Sequence, residues 1–491
     1  MIFTCRLSTI AEQHGSHEEA LQILNQGLQY APFHVNLWQA LAKNLAHVGQ
    51  LDKAITATRK LVELEPMQYR YHFLLSSELA NAGQFEEGLD ACQQALALAP
   101  NSANIYLQLG HLLKTLGQRT QCEQAYKQSI SLEKINGTAY WALADLKSYQ
   151  FDDTEKKAMY NLVSNSQTPP AQAAQACFAL AKSHEDNHDY NLAFEHYLKA
   201  NNLRPDVNFE PKNYQAKCEL VRHGFSKQVL KLQAKFTEQQ PTPIFIVGLT
   251  RSGSTLLEQI LSSHSDVEGT MELYSLPRVV RRLEKISNRK GITYPELMAQ
   301  LSPQDLSALG QGYLKDTEIY RNGKPYFIDK MPPNFHNVGL IHMILPNAII
   351  IDARRHPLST GFSNFKQHFA KGYDFSYDLA NIGHYYNSYL ALMDHWDEVM
   401  PEEVLCIQYE NLIQDTENQI RQLLHHCGLP FQASCLNFHA NKRAVRTASS
   451  EQVRQPINTK GMEQWRHFDA FLTPLKEALG EQTLKRFAQW A

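Results

Sequence analysis

The sequence lacks the features that would tie it to several common classes of protein. Its 491 residues carry 47 Lys and Arg against 50 Asp and Glu, and this net charge of -3 excludes a chain-wide electrostatic attraction to nucleic acid or anionic membranes. The eight cysteines form no C-x-x-C pair and no zinc-finger spacing, which favours reduced, mostly buried thiols. The histidines form no H-E-x-x-H motif, and no metal site is predicted.

Long apolar runs are also missing. The longest apolar region, 338–351, is interrupted by His342, Pro346 and Asn347 and is too short to span a bilayer. The first ten residues contain no apolar core of the length that a secretory signal needs. The balance of 43% hydrophobic and 20% charged residues is that of an ordered protein. We therefore expect a soluble, cytoplasmic protein of two to four domains, with no membrane partner and no nucleic-acid partner.

Glycines, small residues and prolines recur every 34 residues in the N-terminal part of the chain. The glycine suits the turn between two helices, the small residue lets the second helix approach the first, and the proline closes the unit. The recurring residues are Gly15, Gly49, Gly83 and Gly117, then Ala20, Ala54, Gly88 and Cys122, and the prolines Pro32, Pro66 and Pro100. The pattern resembles the tetratricopeptide repeat, a pair of antiparallel helices, and predicts an all-α array over 1–206.

Arrays of this kind stack into a superhelix whose concave surface holds a peptide or a protein, so a protein partner is expected. Tyr69, Tyr71, Tyr106 and Tyr140 are candidates for lining that surface, although packing between helices is the simpler explanation for most of them. Residues 207–240 predict capping helices followed by a polar, proline-containing linker. A second domain is expected over 241–491.

A strand, a loop of small residues and a helix follow one another in the stretch PIFIVGLTRSGSTLLEQIL, 243–261. This arrangement points backbone N–H groups and the positive end of a helix dipole at one spot, where an anion, most often a phosphate, would bind. The loop is not a Walker A loop, because no lysine precedes Ser254 and Thr255; Arg251 stands on the entering side instead. An ordinary strand–turn–helix joint is the alternative explanation.

Strands and helices alternate after this loop, which predicts a parallel sheet covered by helices on both faces. The predicted strands are 326–330, 348–352 and 404–412. The first of these ends at Lys330, at the edge of the sheet where α/β proteins meet their ligands. Arg355 follows the next strand and Ser363 comes eight residues later, so the two can hold one phosphate from two sides.

Taken together, these motifs resemble the sulfotransferases that use 3′-phosphoadenosine 5′-phosphosulfate (PAPS), and in particular the tetratricopeptide-repeat sulfotransferases related to tyrosylprotein sulfotransferases. The resemblance covers about 243–470 and implies a P-loop-like sulfotransferase domain with PAPS as co-substrate and no metal. It implies that the R-S-G-[ST]-[ST] loop binds the 5′-phosphosulfate and that the arginine–serine pair binds the 3′-phosphate. The residues concerned are Arg251, Ser252, Gly253, Ser254 and Thr255 for the loop, and Arg355 and Ser363 for the pair.

The resemblance also implies catalytic roles for three residues. Glu272, 21 residues after the loop arginine, matches the general base of the tyrosylprotein branch. Lys330 matches the lysine of a D-K-x-P-x-N-F segment, and Ser449 matches the serine of S-[ST]-[DE]-Q-V. Lys330 and Ser449 would stabilise charge on the bridging oxygen of the leaving nucleotide.

Two departures from the family pattern stand out. Gln464 occupies the position before Trp465 where the tyrosylprotein branch has a lysine, and Lys460 or Arg466 are the candidate substitutes. The acidic motif reads G-T-M-E rather than G-E-E-T, which leaves the acceptor open among a protein or peptide tyrosine, a glycan and a small hydroxylated molecule.

The expected function is therefore transfer of a sulfuryl group from PAPS to a hydroxyl acceptor held by the repeats, with a homodimer as a further expectation. Two alternatives remain. A P-loop kinase or NTPase would need a loop lysine that is missing. A scaffold protein would bind partners through its repeats and carry a weakly active or inactive nucleotide domain.

Overall fold

Paired helices build the N-terminal part of the chain, as the 34-residue period predicts. The computed structural model describes residues 7–9, 11, 16–204, 207–238, 240–369, 372–459 and 461–490. The first helices are α1 (His17–Tyr30), α2 (Val35–His47), α3 (Leu51–Leu64), α4 (Tyr69–Asn81), α5 (Phe85–Leu98), α6 (Ala103–Thr115), α7 (Arg119–Leu132) and α8 (Gly137–Ala144). Each helix from α1 to α6 packs against the next one along the chain.

The repeating glycines take the backbone conformation that the turn requires. Gly49, Gly83 and Gly117 have φ angles of 80°, 80° and 75°, in the left-handed region that side chains disfavour. Each of them follows the first helix of a pair and precedes the second. Glycine is therefore needed there for its backbone freedom, and the predicted turns are confirmed at these three positions; Gly15 lies outside the described residues.

The four candidate surface tyrosines do not share one environment. Tyr71 and Tyr140 are only 9% and 4% exposed, which places them among the residues that pack between helices. Tyr69 and Tyr106 are half-buried. A role for these two on a partner-binding surface stays a prediction.

The chain divides into two units, Met1–Ala142 and Leu143–Ala491. The second unit begins with further helices and continues with an α/β domain. The helices before the sheet are α9 (Asp153–Ser164), α10 (Pro170–Asp186), α11 (Tyr190–Asn202) and α12 (Pro211–Gly224). The predicted division at residues 206 and 240 stays a prediction.

The α/β domain follows α12 and alternates strands with helices. Its strands are β1 (Thr242–Gly248), β2 (Val267–Gly269), β3 (Tyr326–Lys330), β4 (Ile349–Arg354) and β5 (Val404–Gln408). Its helices are α13 (Ser254–Leu261), α14 (Ser275–Lys290), α15 (Tyr294–Met298), α16 (Pro303–Asp316), α17 (Val338–Ile344), α18 (Pro357–Phe365), α19 (Leu379–Val399), α20 (Tyr409–Gln414), α21 (Thr416–His426) and α22 (Thr473–Arg486).

The strands form one parallel sheet in the order β2-β3-β1-β4-β5. One face of the sheet packs on α13 and α21 in a continuous apolar core. On the other face, the ring of Tyr313 from α16 lies 5.6 Å from Phe245 and 6.5 Å from Phe327. The predicted parallel sheet with helices on both faces is confirmed, and it brings the carboxyl ends of neighbouring strands to one edge.

The sequence prediction was wrong about the end of the last strand and about β2. The predicted strand 404–412 ends at Gln408, and its last four residues begin helix α20. There Glu410 is buried and accepts a hydrogen bond from the backbone N–H of His356, so this segment turns inward beside β4. Strand β2 was not predicted, because three residues are too few to show a period.

The helical pair α10 and α11 packs against the α/β domain inside the second unit. Phe194 stacks on Phe365 and Phe471, with ring centroids 5.7 and 4.4 Å away. Asn201 donates a 3.0 Å hydrogen bond from Nδ2 to the carbonyl of Phe365. Helix α18, which carries Ser363, is therefore held in place by the repeat-like helices that precede the sheet.

In the described part of the chain, no helix is both long enough and apolar enough to cross a membrane.

Two glycines on α16 provide a matched test of this packing. A Cβ on Gly310 would lie 2.1 Å from the carbonyl oxygen of Ile344, whereas a Cβ on Gly312 would have no neighbour within 4 Å. We expect Gly310→Ala to destabilise the protein by about 1–3 kcal/mol because the helix must shift. Gly312→Ala should stabilise it by about 0.5–1 kcal/mol through helix propensity. Urea unfolding of both variants measures the difference, and equal effects would contradict the close approach of α16 and α17.

Candidate functional site

The loop between β1 and α13 owes its shape to two glycines. Gly248 has a φ of 128°, and a Cβ there would lie 2.5 Å from the carbonyl oxygen of Ala353 on β4. Gly253 has a φ of 97° and immediately precedes α13; a Cβ there would lie 2.6 Å from the ring of Tyr409. Side chains are therefore excluded at both ends of the loop. The backbone N–H groups of Leu256 and Leu257 donate to the carbonyl of Gly253, whereas those of Ser254 and Thr255 come before the first turn of the helix and face the side on which an anion would bind.

Arg251 lies at the centre of this loop and joins three distant segments. It adopts a φ of 66°, which is rare for a residue other than glycine. Its Nε donates to Ser363 Oγ at 3.1 Å, and its Nη1 donates to Ser449 Oγ at 2.6 Å. Burial lowers the pKa of Arg251 to about 10, although the carboxylate of Asp145 opposes this effect. The guanidinium is thus held in a fixed orientation at low exposure.

Arg355, at the end of β4, belongs to the same site. Its Nη1 donates to the carbonyl of Arg251 at 3.1 Å, and its Nη2 donates to the carbonyl of Gly461. Its guanidinium carbon lies 4.7 Å from the ring centre of Tyr409, a cation–π contact. Its Nε is buried and has no hydrogen-bond partner. An anion is the partner that a buried, unpaired guanidinium N–H favours.

The hydroxyl residues of the loop have unequal roles. Ser252 Oγ donates to the carbonyl of Leu249 at 2.6 Å, so its side chain stabilises the loop itself. Thr255 Oγ1 donates to Thr447 Oγ1 at 3.3 Å, close to Ser449 in the chain. Ser254 and Thr255 are both buried at the start of α13. Of the predicted loop hydroxyls, Ser252 and Thr255 are already engaged within the protein.

Lys330 and Glu272 form an ion pair at the neighbouring strand end. Lys330 Nζ donates to Glu272 Oε1 at 2.5 Å. The lysine side chain is 1% exposed, whereas the glutamate side chain is 34% exposed. In the sheet register Lys330 lies opposite Ile246 of β1, two residues before the loop begins. A buried ammonium therefore orients a carboxylate that solvent and other molecules can reach.

The structure brings the predicted site residues together at one edge of the sheet. Arg251, Ser363, Ser449 and Arg355 are connected by direct hydrogen bonds, and Lys330 and Glu272 lie on the adjacent strand ends. Sequence reasoning missed Tyr409, whose ring contacts both Arg355 and Gly253. The predicted strand 404–412 covers Tyr409, so no sequence signal marked it; Tyr409 instead directly follows β5, where parallel sheets present ligand-binding residues.

The surroundings of Gln464 contain a lysine that the sequence did not suggest. Lys366 Nζ donates to Gln464 Oε1 at 3.1 Å and to Glu185 Oε1 at 2.7 Å. Of the two candidate substitutes, Arg466 lies over the ring of Trp465 at 5.3 Å, and Lys460 falls outside the described residues. Lys366, the residue after α18, therefore places a cation beside Gln464.

Comparisons with known proteins agree with this arrangement of domains. Residues 243–433 match the family model described as sulfotransferase family, and residues 103–136 and 174–207 match a tetratricopeptide repeat model. An uncharacterised protein of Aquifex aeolicus (strain VF5) is 33% identical over 71% of this chain and 46% of its own length, so the chain spans about half of that relative.

Other relatives carry names. Protein-tyrosine sulfotransferase 1 of Danio rerio is 24% identical over 50% of this chain and 71% of its own length. The protein-tyrosine sulfotransferase of Drosophila melanogaster is 27% identical over 45% of this chain and 46% of its own length. Among solved structures, the sulfotransferase domain of the Synechococcus PCC 7002 olefin synthase is 22% identical, covers 52% of this chain and 98% of its own, and aligns with a TM-score of 0.38.

Asp329, next to Lys330, predicts that the stability of the protein depends on pH. It is fully buried, and burial raises its pKa from 3.8 to about 7 despite the hydrogen bond from Tyr313. Because the folded pKa exceeds the unfolded one, this group favours the folded state below about pH 4, and that contribution is lost as the pH rises towards 7. We expect the free energy of unfolding of Asp329→Asn, relative to that of the wild type, to increase by about 2–4 kcal/mol as the pH is raised from 5 to 8. Parallel stability curves in urea unfolding across this range would contradict the assignment.

Proposed function

We propose that this chain transfers a sulfuryl group from PAPS to a hydroxyl acceptor. The premise is that it joins tetratricopeptide repeats to a sulfotransferase-family domain. The observation that carries the proposal is the direct hydrogen bonding of Arg251 to Ser363 and to Arg355. Two arginines that separate sequence motifs assign to anion binding lie within hydrogen-bonding distance of each other, close enough for a single nucleotide to contact both. A donor with one anionic group on each side of its ribose suits such a pair.

The residues present fit this donor. The unpaired Nε of buried Arg355 and the free N–H groups at the start of α13 offer hydrogen-bond donors to anionic oxygens. We assign the loop of Arg251, Ser252, Gly253, Ser254 and Thr255 to the 5′-phosphosulfate, and Arg355 with Ser363 to the 3′-phosphate. The donor supplies the sulfuryl group: an acceptor O–S bond forms, the S–O bond to the 5′-phosphate breaks, and the acceptor loses a proton.

Glu272 is the base that we assign to that proton. Its carboxylate is accessible, and Lys330 holds it from the buried side. The proton moves from the acceptor oxygen to a Glu272 carboxylate oxygen. Lys330 Nζ and Ser449 Oγ then stabilise negative charge at the leaving group. Ser449 is already fixed by Arg251, so both charge-stabilising groups are oriented before the reaction begins.

The acceptor that we favour is a hydroxyl on a protein or peptide, with tyrosine as the first candidate. Two relatives are named protein-tyrosine sulfotransferases, and repeat arrays commonly bind peptides. Radiolabelled PAPS offered with peptide, glycan and phenolic acceptors distinguishes these classes. If no acceptor is labelled and no adenosine nucleotide binds, the scaffold alternative replaces this proposal.

Glu272→Gln tests the assignment of the base. We expect the rate of sulfuryl transfer to fall by about 10²–10⁴-fold because the amide cannot accept the acceptor proton. The affinity for adenosine 3′,5′-bisphosphate should change little, since Glu272 is assigned to the acceptor side. Single-turnover transfer rates and calorimetric titration measure the two quantities separately.

Glu268→Gln is the matched control for that variant. Glu268 lies four residues earlier and accepts hydrogen bonds from the backbone and the side chain of Asn322, away from Lys330. Its replacement should leave the transfer rate of the folded enzyme close to that of the wild type. Transfer at the wild-type rate by Glu272→Gln would remove Glu272 from the mechanism.

The same substitution, arginine to lysine, made separately at the adjacent residues Arg354 and Arg355 tests the nucleotide assignment. Arg355→Lys should weaken binding of adenosine 3′,5′-bisphosphate by about 10–100-fold, because a lysine cannot replace a planar fork of donors. Arg354 instead pairs with buried Asp352, so Arg354→Lys should lower stability and leave the affinity unchanged. Equal affinities for the two variants would contradict a nucleotide site at Arg355.

A further inference from the structure

Tyr274 is a large aromatic side chain that the α/β domain leaves in solvent. It is 62% exposed, and among the described residues of 241–491 no other large hydrophobic side chain is exposed. In the described part of the chain its ring stacks on no other ring and its hydroxyl makes no hydrogen bond. A single exposed ring is common on protein surfaces, so its meaning depends on what lies beside it.

The neighbour of Tyr274 is Glu272, the carboxylate that we assign to the acceptor proton. Leu273, between the two, is 1% exposed, whereas the side chain of Glu272 is 34% exposed. Burial therefore alternates along these three residues as it does along an extended chain, with Leu273 in the core and its two neighbours on the accessible side. Because two residues span at most about 7 Å of chain, the ring and the carboxylate border the same part of the surface.

The backbone holds both groups in place before an acceptor arrives. Helix α14 begins directly after Tyr274, and its first two residues, Ser275 and Leu276, are fully buried. The carbonyl of Tyr274 accepts a 3.1 Å hydrogen bond from the backbone N–H of Arg278 in the first turn of this helix. Glu272 is held in turn by the buried ammonium of Lys330. A surface that is fixed in advance loses little conformational freedom when a ligand binds.

A phenol is the acceptor whose chemistry suits this pair of groups. Aromatic rings pair favourably with their centres about 4.5–7 Å apart, which is comparable with the span between Tyr274 and Glu272. The phenol hydroxyl has a pKa of about 10, whereas that of water is about 15.7. A carboxylate is a weak base, so it takes a proton more readily from a phenol than from an aliphatic hydroxyl. A serine or sugar hydroxyl lacks both the aromatic ring and this acidity.

We propose that Tyr274 is a specificity-determining residue of the acceptor site: its exposed ring stacks on the ring of a phenolic acceptor and sets the phenol hydroxyl beside the carboxylate of Glu272. The inference rests on the proposed function and selects among the acceptor classes that the sequence leaves open. The phenol oxygen forms the new O–S bond, the S–O bond to the 5′-phosphate of PAPS breaks, and the phenol proton moves to Glu272. Tyr274 binds the acceptor and takes no part in the proton transfer.

Replacing the ring tests the inference in transfer from PAPS to two phenols, para-cresol and a peptide with a single tyrosine. Tyr274→Ala should lower kcat/KM for both acceptors about tenfold, chiefly through KM, because the stacking partner is lost. Tyr274→Phe keeps the ring and should stay within about twofold of the wild type. The affinity for adenosine 3′,5′-bisphosphate, measured by calorimetry, should be the same for all three proteins.

A control residue and a control acceptor complete the experiment. Tyr30, at the end of α1 in the other unit, is 86% exposed, and Tyr30→Ala should leave transfer to para-cresol unchanged. Methylcyclohexanol has the size of para-cresol but neither an aromatic ring nor an acidic hydroxyl. The wild type should use it at least about tenfold less efficiently, and Tyr274→Ala should not slow its reaction further. Thermal unfolding establishes that each variant is folded.

The outcomes that overturn the inference differ from those that overturn the proposed function. The inference is wrong, and the proposed function stands, if Tyr274→Ala transfers to the phenols as efficiently as the wild type. The same holds if Tyr274→Phe loses as much as Tyr274→Ala, since the hydroxyl rather than the ring would then be responsible. Transfer by the wild type to aliphatic hydroxyls or glycans but to no phenol leads to the same conclusion. If the wild type transfers a sulfuryl group to no acceptor, the proposed function falls and this inference falls with it.

Discussion

The hydrogen bonds of Arg251 hold the candidate site together. The guanidinium donates to Ser363 and Ser449, and the carbonyl of the same residue accepts from Arg355. Three segments that are distant in sequence, the loop itself, residues 355–363 and the segment of Ser449, are thereby fixed around one residue. The strained backbone of Arg251 is consistent with this role, because strain of this kind persists where several contacts determine the conformation. Without those contacts the loop would lose both its orientation and its partners.

The parallel sheet places the ion pair of Lys330 and Glu272 near that arginine. Its register sets Lys330 beside β1 just before the loop, and burying an ammonium group is costly unless an opposite charge pairs with it. Glu272 supplies the partner and stays accessible on its other side. One ion pair thus satisfies a buried charge and presents a carboxylate to the site, which is what a general base needs in order to meet an acceptor hydroxyl.

The helices that precede the sheet in the chain contact α18 and the residue directly after it, and α18 forms part of the candidate site. Phe194 and Asn201 contact Phe365 at the end of that helix, and Glu185 binds Lys366 directly after it. Helix α18 also carries Ser363. Since a shift of α18 would move Ser363, which we assign to the donor, the repeat-like helices are mechanically coupled to the proposed nucleotide site.

The sequence by itself determined the periodic and local features. A 34-residue period predicts helical pairs with glycine turns, and the run Ile244–Val247 followed by small residues and a helical pattern predicts a strand, a tight loop and a helix. Pairings across long separations were decided only by the tertiary structure. Ser449 reaches Arg251 across 198 residues, Lys366 lies beside Gln464, and Lys147 joins Asp145 to Gln367. Such contacts depend on how strands and helices pack, and packing is set by the summed burial of the whole core rather than by any local pattern of residues.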